Sequence, residues 1–145
     1  MQRQDKGGLD MKSWQGAAAI CVNEKREVLV VRSADTEIWS VPSGGMEEGE
    51  APEECCIREV AEETGCQVKI VKKLQVKQTV IQGIEVTTHY FQVKKTGGRL
   101  EVNDPDFNIA EACWKKVEEY EHFKQMYPED LSLIKEIAGI SKPVY

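Results

Sequence analysis

"GGMEEGEAPEECCIREVAEETGC", residues 44–66, is the stretch whose reading decides the fold. Pro52 suits the first position of a helix with Glu53 and Glu54 behind it, and Gly65 suits its left-handed end. The helix predicted between them brings Glu59, Glu62 and Glu63 to its carboxyl end, where free carbonyls are already negative and a cation would stabilise. Glu59 and Glu63 stand one turn apart, a like-charge pair that costs about 0.2–0.5 kcal/mol before any dipole contribution. At about 100° per residue the three glutamates share one arc, and Cys56, Ile57, Val60, Ala61 and Thr64 fill the neighbouring arc, which is expected to face a core.

A divalent cation would reverse the sign of each of those repulsions, and hard oxygen donors in this number suit Mg²⁺. The plain alternative is a solvated acidic face. Arg58, four residues after Glu54 and four before Glu62, is placed to brace the acids by ion pairing. Glu50 lies at the helix entrance, where the dipole favours a carboxylate and a structural cap is the competing reading. Gly44 and Gly49 have the spacing of a phosphate-binding P-loop, but the position that needs Lys holds Glu50, which excludes that motif.

Around this stretch the chain of 145 residues has the length of one domain and enough apolar content, 41%, for a core. With 19 Lys and Arg against 25 Asp and Glu, the net charge of −6 repels phosphate backbones and anionic membranes. Neither a membrane partner nor nucleic acid is expected. Without an apolar run of membrane length, and with the polar start "MQRQDKGGLDMKSW", the expected location is the cytoplasm. Five cysteines without a C-x-x-C pair point away from zinc and disulfides and towards small buried hydrophobes.

Residues 1–13 read as a loose polar arm and 14–145 as a single domain. "GAAAICV" and "EVLVVR" are apolar runs of strand length around "NEKRE", read as a hairpin, and "EIWSVP" as a short third strand. Two longer alternating strands follow on either side of "QG" at residues 82–83, ended by a turn at "TGG". Residues 109–117 read as a strand, and 118–139 as helical in period, interrupted at Pro128 and closed at Gly139. Strands on both sides of one early helix, with a second helix at the end, predict an α/β fold with a mixed sheet covered by helices. "NDPDFN" begins like a calcium loop, but Ile109 and Lys115 stand where Gly and Glu are required; a solvated turn, or a loop reaching the acids, remains.

The spacing of Gly44, Glu50 and Arg58-Glu59-Val60-Ala61-Glu62-Glu63-Thr64-Gly65-Cys66 resembles the Nudix box, G-x5-E-x7-R-E-U-x-E-E-x-G-U with U apolar, at every fixed position. "WSVPSGG" resembles the family's Trp-x-Leu-Pro-Gly-Gly approach, with Val41 and Ser43 in place of Leu and Gly, and "EACW" resembles its Glu-x-x-Trp region. The resemblance implies an α/β/α sandwich that hydrolyses a nucleoside diphosphate linked to another group, using Mg²⁺ or Mn²⁺. It implies Glu59 and Glu63 as main metal ligands, Glu62 as ligand of a second metal or base for the water's proton, Arg58 as their support and the Ser43 carbonyl as a further ligand. Glu111, ahead of Trp114, is a candidate base. Trp39, Tyr90, Phe91 and Trp114 are candidates to stack on a base, with a core role as the alternative.

The marks of subfamilies preferring ADP-ribose or dinucleoside polyphosphates, a Pro or Tyr fifteen to eighteen residues past the box, are missing from Thr79–Gly83. A nucleoside triphosphate, oxidised or not, is the first choice of substrate. The alternatives are a nucleotide-binding module that does not cleave, and an isoprenoid-diphosphate isomerase on the same fold, for which Cys21 or Cys113 would be the thiol. The sequence leaves the oligomeric state open.

Overall fold

The runs Ala17–Cys21 and Val28–Val31 are apolar without alternation because both faces of each are buried. In the computed structural model, which describes residues 12–140, these runs, Cys21 excepted, lie in β1 (Lys12–Ile20) and β2 (Glu27–Ser33). Then come β3 (Trp39–Ser40), β4 (Ser43–Gly45), α1 (Pro52–Thr64), β5 (Cys66–Ile81), β6 (Ile84–Gly98) and β7 (Ile109–Lys116). The chain ends in α2 (Val117–Tyr120), a 3-10 turn at Pro128–Asp130 and α3 (Leu131–Ile137).

One sheet has the order β4-β1-β6-β5, mixed because β1 and β6 run parallel while its other pairs are antiparallel. The other, β3-β2-β7, is antiparallel. Cys55, Cys56 and Val60 of α1 pack on Ala17, Ala19, Leu29, Phe91 and Val93. The residues between these, Ala18, Ile20, Val28, Val30 and Tyr90, point the other way and meet Val117, Tyr120 and Ile134 of the late helices. Helix, strands and helices thus stack as the expected α/β/α sandwich.

The structure corrects several boundaries. Lys12 and Ser13 pair with Ile84 and Glu85, so they belong to β1; the remainder of the expected arm lies outside the described residues. The expected β1–β2 hairpin survives only as its turn, with a bridge between Val22 and Val28. The two strands then enter different sheets, since each is apolar on both faces and takes its own neighbours. Gly97 and Gly98 extend β6 opposite Gln67 and Cys66 instead of turning. Residues 121–127 are not helical: Trp39 N–H bonds the Lys124 carbonyl and Met126 N–H the Trp39 carbonyl, so β3 holds that segment extended. The Gln82-Gly83 turn is as read, both residues having positive φ, 50° and 78°, as a two-residue hairpin loop requires.

Candidate active site

α1 begins and ends where the sequence placed it. Glu54 accepts the N–H of Ala51 at 2.8 Å, and Gly65 closes the helix at φ 79°. A side chain at Gly65 would collide with the carbonyl of Arg99 and crowd Glu101, so this position needs glycine for space as well as conformation. That closeness is used: Glu101 N–H bonds the Thr64 carbonyl and Asn103 N–H the Glu62 carbonyl, both at 2.8 Å. The loop before β7 thereby satisfies the free carbonyls of the helix end.

Arg58 is the hub. Its Nε and Nη2 donate to the two oxygens of Glu50, Nη1 donates to Glu59 and Glu62 at 3.0 and 3.1 Å, and Nη2 also donates to the Gly45 carbonyl at 2.9 Å. The expected Arg58–Glu54 pair is replaced by Arg58–Glu50, because Glu54 is already spent on capping. The Arg58 hydrogen bond, opposed in part by burial, holds the Glu50 carboxyl at about 2. Glu50 also accepts the N–H of Glu47 at 2.9 Å, which closes the loop between Gly45 and the helix.

Glu63 is buried, unlike a solvated-face residue, and its Oε1 accepts the Ser43 N–H at 3.1 Å. Burial, reinforced by the charges of Glu59, Asp104 and Glu62, pushes its carboxyl up to about 9 against that hydrogen bond. Glu59 is likewise raised by burial, to about 7, although Arg58 opposes the shift. Gly44 lies so close to Glu59 that a Cβ there would fall on the carboxylate. The β4 strand, Ser43 to Gly45, therefore touches Glu63, Glu59 and Arg58 in turn.

Ile57, expected in the core arc, is 38% exposed, and Cys55 takes the interior position instead. The helix is rotated slightly so that Glu63 turns inward. Among the described residues no three Asp, Glu, His or Cys side chains converge into a ready metal cage. The donor set nevertheless fits a hard cation: Mg²⁺ is commonly held by only one or two carboxylates, waters and substrate phosphates. Two carboxyls pushed upward by burial and by each other's charge are the groups a cation would relieve.

The candidate base Glu111 sits on β7 opposite Arg32 and pairs with it at 3.2 Å, with no bond to the acid cluster. Besides Glu62 on the same helix, an acid from another segment, Asp104 of "NDPD", adds its charge to the upward shifts of Glu59 and Glu63. Its own oxygens accept the N–H groups of Asp106, Asn108 and Ile109, which fixes the loop. Of the two readings left open for this loop, a solvated turn or a loop reaching the acids, the second fits its hydrogen bond to the end of α1, Asn103 N–H to the Glu62 carbonyl.

Three of the four stacking candidates are core residues. Trp39 is buried edge-on to Phe123, Phe91 lies under α1, and Tyr90 is buried with its hydroxyl donating to Asp130 at 2.9 Å. Trp114 packs partly buried on the α1 cluster. Tyr90 also lines a cavity of about 200 Å³ that opens beside Ser43 and is walled by Trp14, Tyr127, Lys77 and Asp130. Lys77 spans it, bonded to Glu129 at 2.9 Å and Asp130 at 3.2 Å and lying over the Tyr127 ring. Trp14 and Tyr127 are aromatic walls that the sequence reading missed; Trp14 is 38% exposed. Burial pushes the Cys21 thiol up to about 11 and raises Cys113 as well, so neither is a poised nucleophile.

Comparison with known proteins gives a coherent result. The NUDIX domain model matches residues 12–137. Nudix hydrolase 6 of Arabidopsis thaliana is 35% identical over 112 residues, 72% of this chain and 40% of that protein. The 8-oxo-dGDP phosphatase NUDT18 of Mus musculus is 35% identical over 100 residues, 66% of this chain and 30% of its own length. The chain thus spans less than half the length of these two relatives. A solved NUDIX hydrolase from Nitrosomonas europaea shares the fold at a TM-score of 0.72 and 22% identity, over 92% of this chain and 94% of that one. No described helix is long and apolar enough to cross a membrane.

Proposed function

Because this chain belongs to the NUDIX family, we propose that it hydrolyses a phosphoanhydride in a nucleoside diphosphate derivative, with a nucleoside triphosphate as the first choice of substrate. The observation that carries this reading is the closed network in which Arg58 joins Glu50, Glu59 and Glu62 while Ser43 joins Glu63. A merely solvated acidic face has no use for one arginine that holds two carboxylates near the helix end to a third in the loop before the helix.

Glu59 and Glu63 would hold Mg²⁺ or Mn²⁺, with Glu62 and the Ser43 carbonyl as further donors. Bound there, the cation would supply charge neutralisation at the phosphoryl oxygens and a more acidic water. Arg58 orients Glu59 and Glu62 from outside, leaving their remaining oxygens free. Burial keeps Glu59 and Glu63 short of water, so each gains more from a cation than an exposed carboxylate does. Glu62, bonded to Arg58 through one carboxylate oxygen, would take a proton from the attacking water through the other.

The cavity beside Ser43 supports a nucleoside partner. It begins one residue from Gly44, its Trp14 and Tyr127 rings offer apolar faces, and its Lys77–Asp130–Tyr90 group offers fixed polar atoms. The similarity to a mouse 8-oxo-dGDP phosphatase adds oxidised guanine nucleotides to the substrates worth testing. The absence of an activated thiol at Cys21 or Cys113 disfavours isomerisation.

The test is a panel of nucleoside di- and triphosphates, 8-oxo-dGTP, ADP-ribose and a dinucleoside polyphosphate, with Mg²⁺ or EDTA, products resolved by chromatography. Metal-dependent release of a nucleoside monophosphate, with pyrophosphate or phosphate, is expected. Tight nucleotide binding with no product from any of them would replace the hydrolase by a binding module.

A further inference from the structure

β5 is an edge strand of the four-stranded sheet. The outer N–H and C=O groups of such a strand template pairing with another chain unless charges, proline or bulges guard them. Here the guards occupy one half only. The register shifts against β6 all fall between Gln67 and Gln75, and the exposed Lys69, Lys72 and Lys73 lie in the same half. From Gln75 to Ile81 the register is unbroken. The one lysine in that stretch, Lys77, is drawn inward to Glu129 and Asp130 and guards nothing. Val76, Val80 and Ile81 are left 43%, 61% and 43% exposed.

The segment "QVKQTVI" is complementary to itself. Laid antiparallel on a second copy with Gln78 opposite Gln78, Val76 meets Val80 twice, Lys77 meets Thr79 and Gln75 meets Ile81. No like charges oppose, and Lys69, Lys72 and Lys73 fall beyond the paired ends. Lys77, Thr79 and Ile81 line the cavity face of the sheet, so Val76, Gln78 and Val80 share the other face, where two Val76–Val80 pairs would flank the amide pair of Gln78. Centring the pair on Lys77 instead would set lysine against lysine; centring it on Thr79 would set each valine against glutamine. An acidic or nucleic-acid partner would gain nothing along these seven residues, which present no free cation.

We propose that Gln75–Ile81 of β5 pairs antiparallel with the same segment of a second copy of this chain, with the two-fold axis at Gln78, making one eight-stranded sheet across the dimer. The cavity walls Lys77, Thr79 and Ile81 then stand beside the seam. This assembly is independent of the hydrolase reading.

Two measurements test it. In sedimentation equilibrium, the unmodified chain should be a dimer. V76K/V80K and V76E/V80E should each be monomers that melt close to the parent, and an equimolar mixture of the two should regain the dimer mass. Under oxidation Gln78→Cys should form a covalent dimer, because facing residues on the axis come within disulfide reach, while Thr79→Cys, offset by two positions, should not. A parent chain that stays monomeric up to its solubility limit, a dimer that both charged variants retain, or a mixture of folded variants that does not associate overturns the proposal. If a charged variant fails to fold, the cysteine pair decides: equal crosslinking at residues 78 and 79, or none, rejects the register.

Discussion

Arg58 grips Glu50, eight residues earlier in the chain, through two hydrogen bonds, Nε to Oε2 at 2.7 Å and Nη2 to Oε1 at 2.8 Å. The pair ties the entrance of α1 to its exit, because the remaining Nη1 reaches Glu59 and Glu62. A planar fork is needed for this, and lysine lacks it. Arg58→Lys should therefore weaken the response to Mg²⁺ and lower turnover by about 10–100-fold, the scale of losing a residue that orients ligands. Steady-state rates against Mg²⁺ concentration check this, and an unchanged Mg²⁺ curve would reduce Arg58 to a surface brace.

Glu59→Gln and Glu63→Gln should each keep the fold and lose activity by at least about 100-fold, as for loss of a principal electrostatic contributor. Near-parent kcat at saturating Mg²⁺ in either variant would remove these residues from the site.

Gly44→Ala adds a methyl where the Glu59 carboxylate now sits. The Glu59 side chain is long and can swing aside, so stability should change by less than about 1 kcal/mol, whereas activity should fall as in Glu59→Gln. Circular-dichroism melting beside the activity assay separates the two effects. A variant that is unstable yet active per folded molecule would contradict the close approach.

Mg²⁺ should raise the melting temperature, by an amount equivalent to about 2.7 kcal/mol at a hundredfold excess over Kd. Glu59→Gln should be at least as stable as the parent in EDTA, since a buried, crowded carboxylate is removed, and should respond less to the metal. A parent that melts identically in EDTA and Mg²⁺, with Glu59→Gln less stable, would make the cluster structural.

The depressed carboxyl of Glu50, at about 2 in the fold against an ordinary value near 4.5, gives a pH signature. Its contribution is complete above about pH 4.5 and is lost as pH falls towards 2, because the unfolded chain takes up the proton first. Glu59 and Glu63, shifted upward, lose no stability in that window, and the lowered Glu121 and Glu129, which do, are common to the parent and to Glu50→Gln. The urea midpoint of the parent should drop between pH 4.5 and 2 more steeply than that of Glu50→Gln. Parallel slopes would show that the pair with Arg58 contributes nothing to folding.

Much of the fold was legible from one stretch. Pro52 and Gly65 bound the helix by backbone chemistry that acts within a few residues, and the crowded acids before Gly65 are a local signal too. The family resemblance drawn from that spacing agrees with the domain match over residues 12–137. The α/β/α layering followed from the positions of strands and helices, since unalternating apolar runs must be covered on both faces.

What the sequence by itself determined, then, was the helix, its acid set and the layers that enclose it; the tertiary structure decided how distant groups were shared. Periodicity gave Arg58 two partners on its own helix, but Glu54 was taken by the Ala51 N–H and Glu50 came from the loop instead. Glu63 looked like a surface acid until β4 folded over it and Ser43 donated its N–H. The β2–β7 register gave Glu111 the partner Arg32, and the loop of Asp104 docks on the end of α1, neither of which spacing along the chain shows. Trp39 was indistinguishable by type from Trp14, and only the packing of β3 put the first inside against Phe123 and left the second at the cavity mouth with Tyr127 and one face of the buried Tyr90. Local propensity acts through neighbours along the chain, whereas burial, sheet register and the choice of ion-pair partner exist only once remote segments have met.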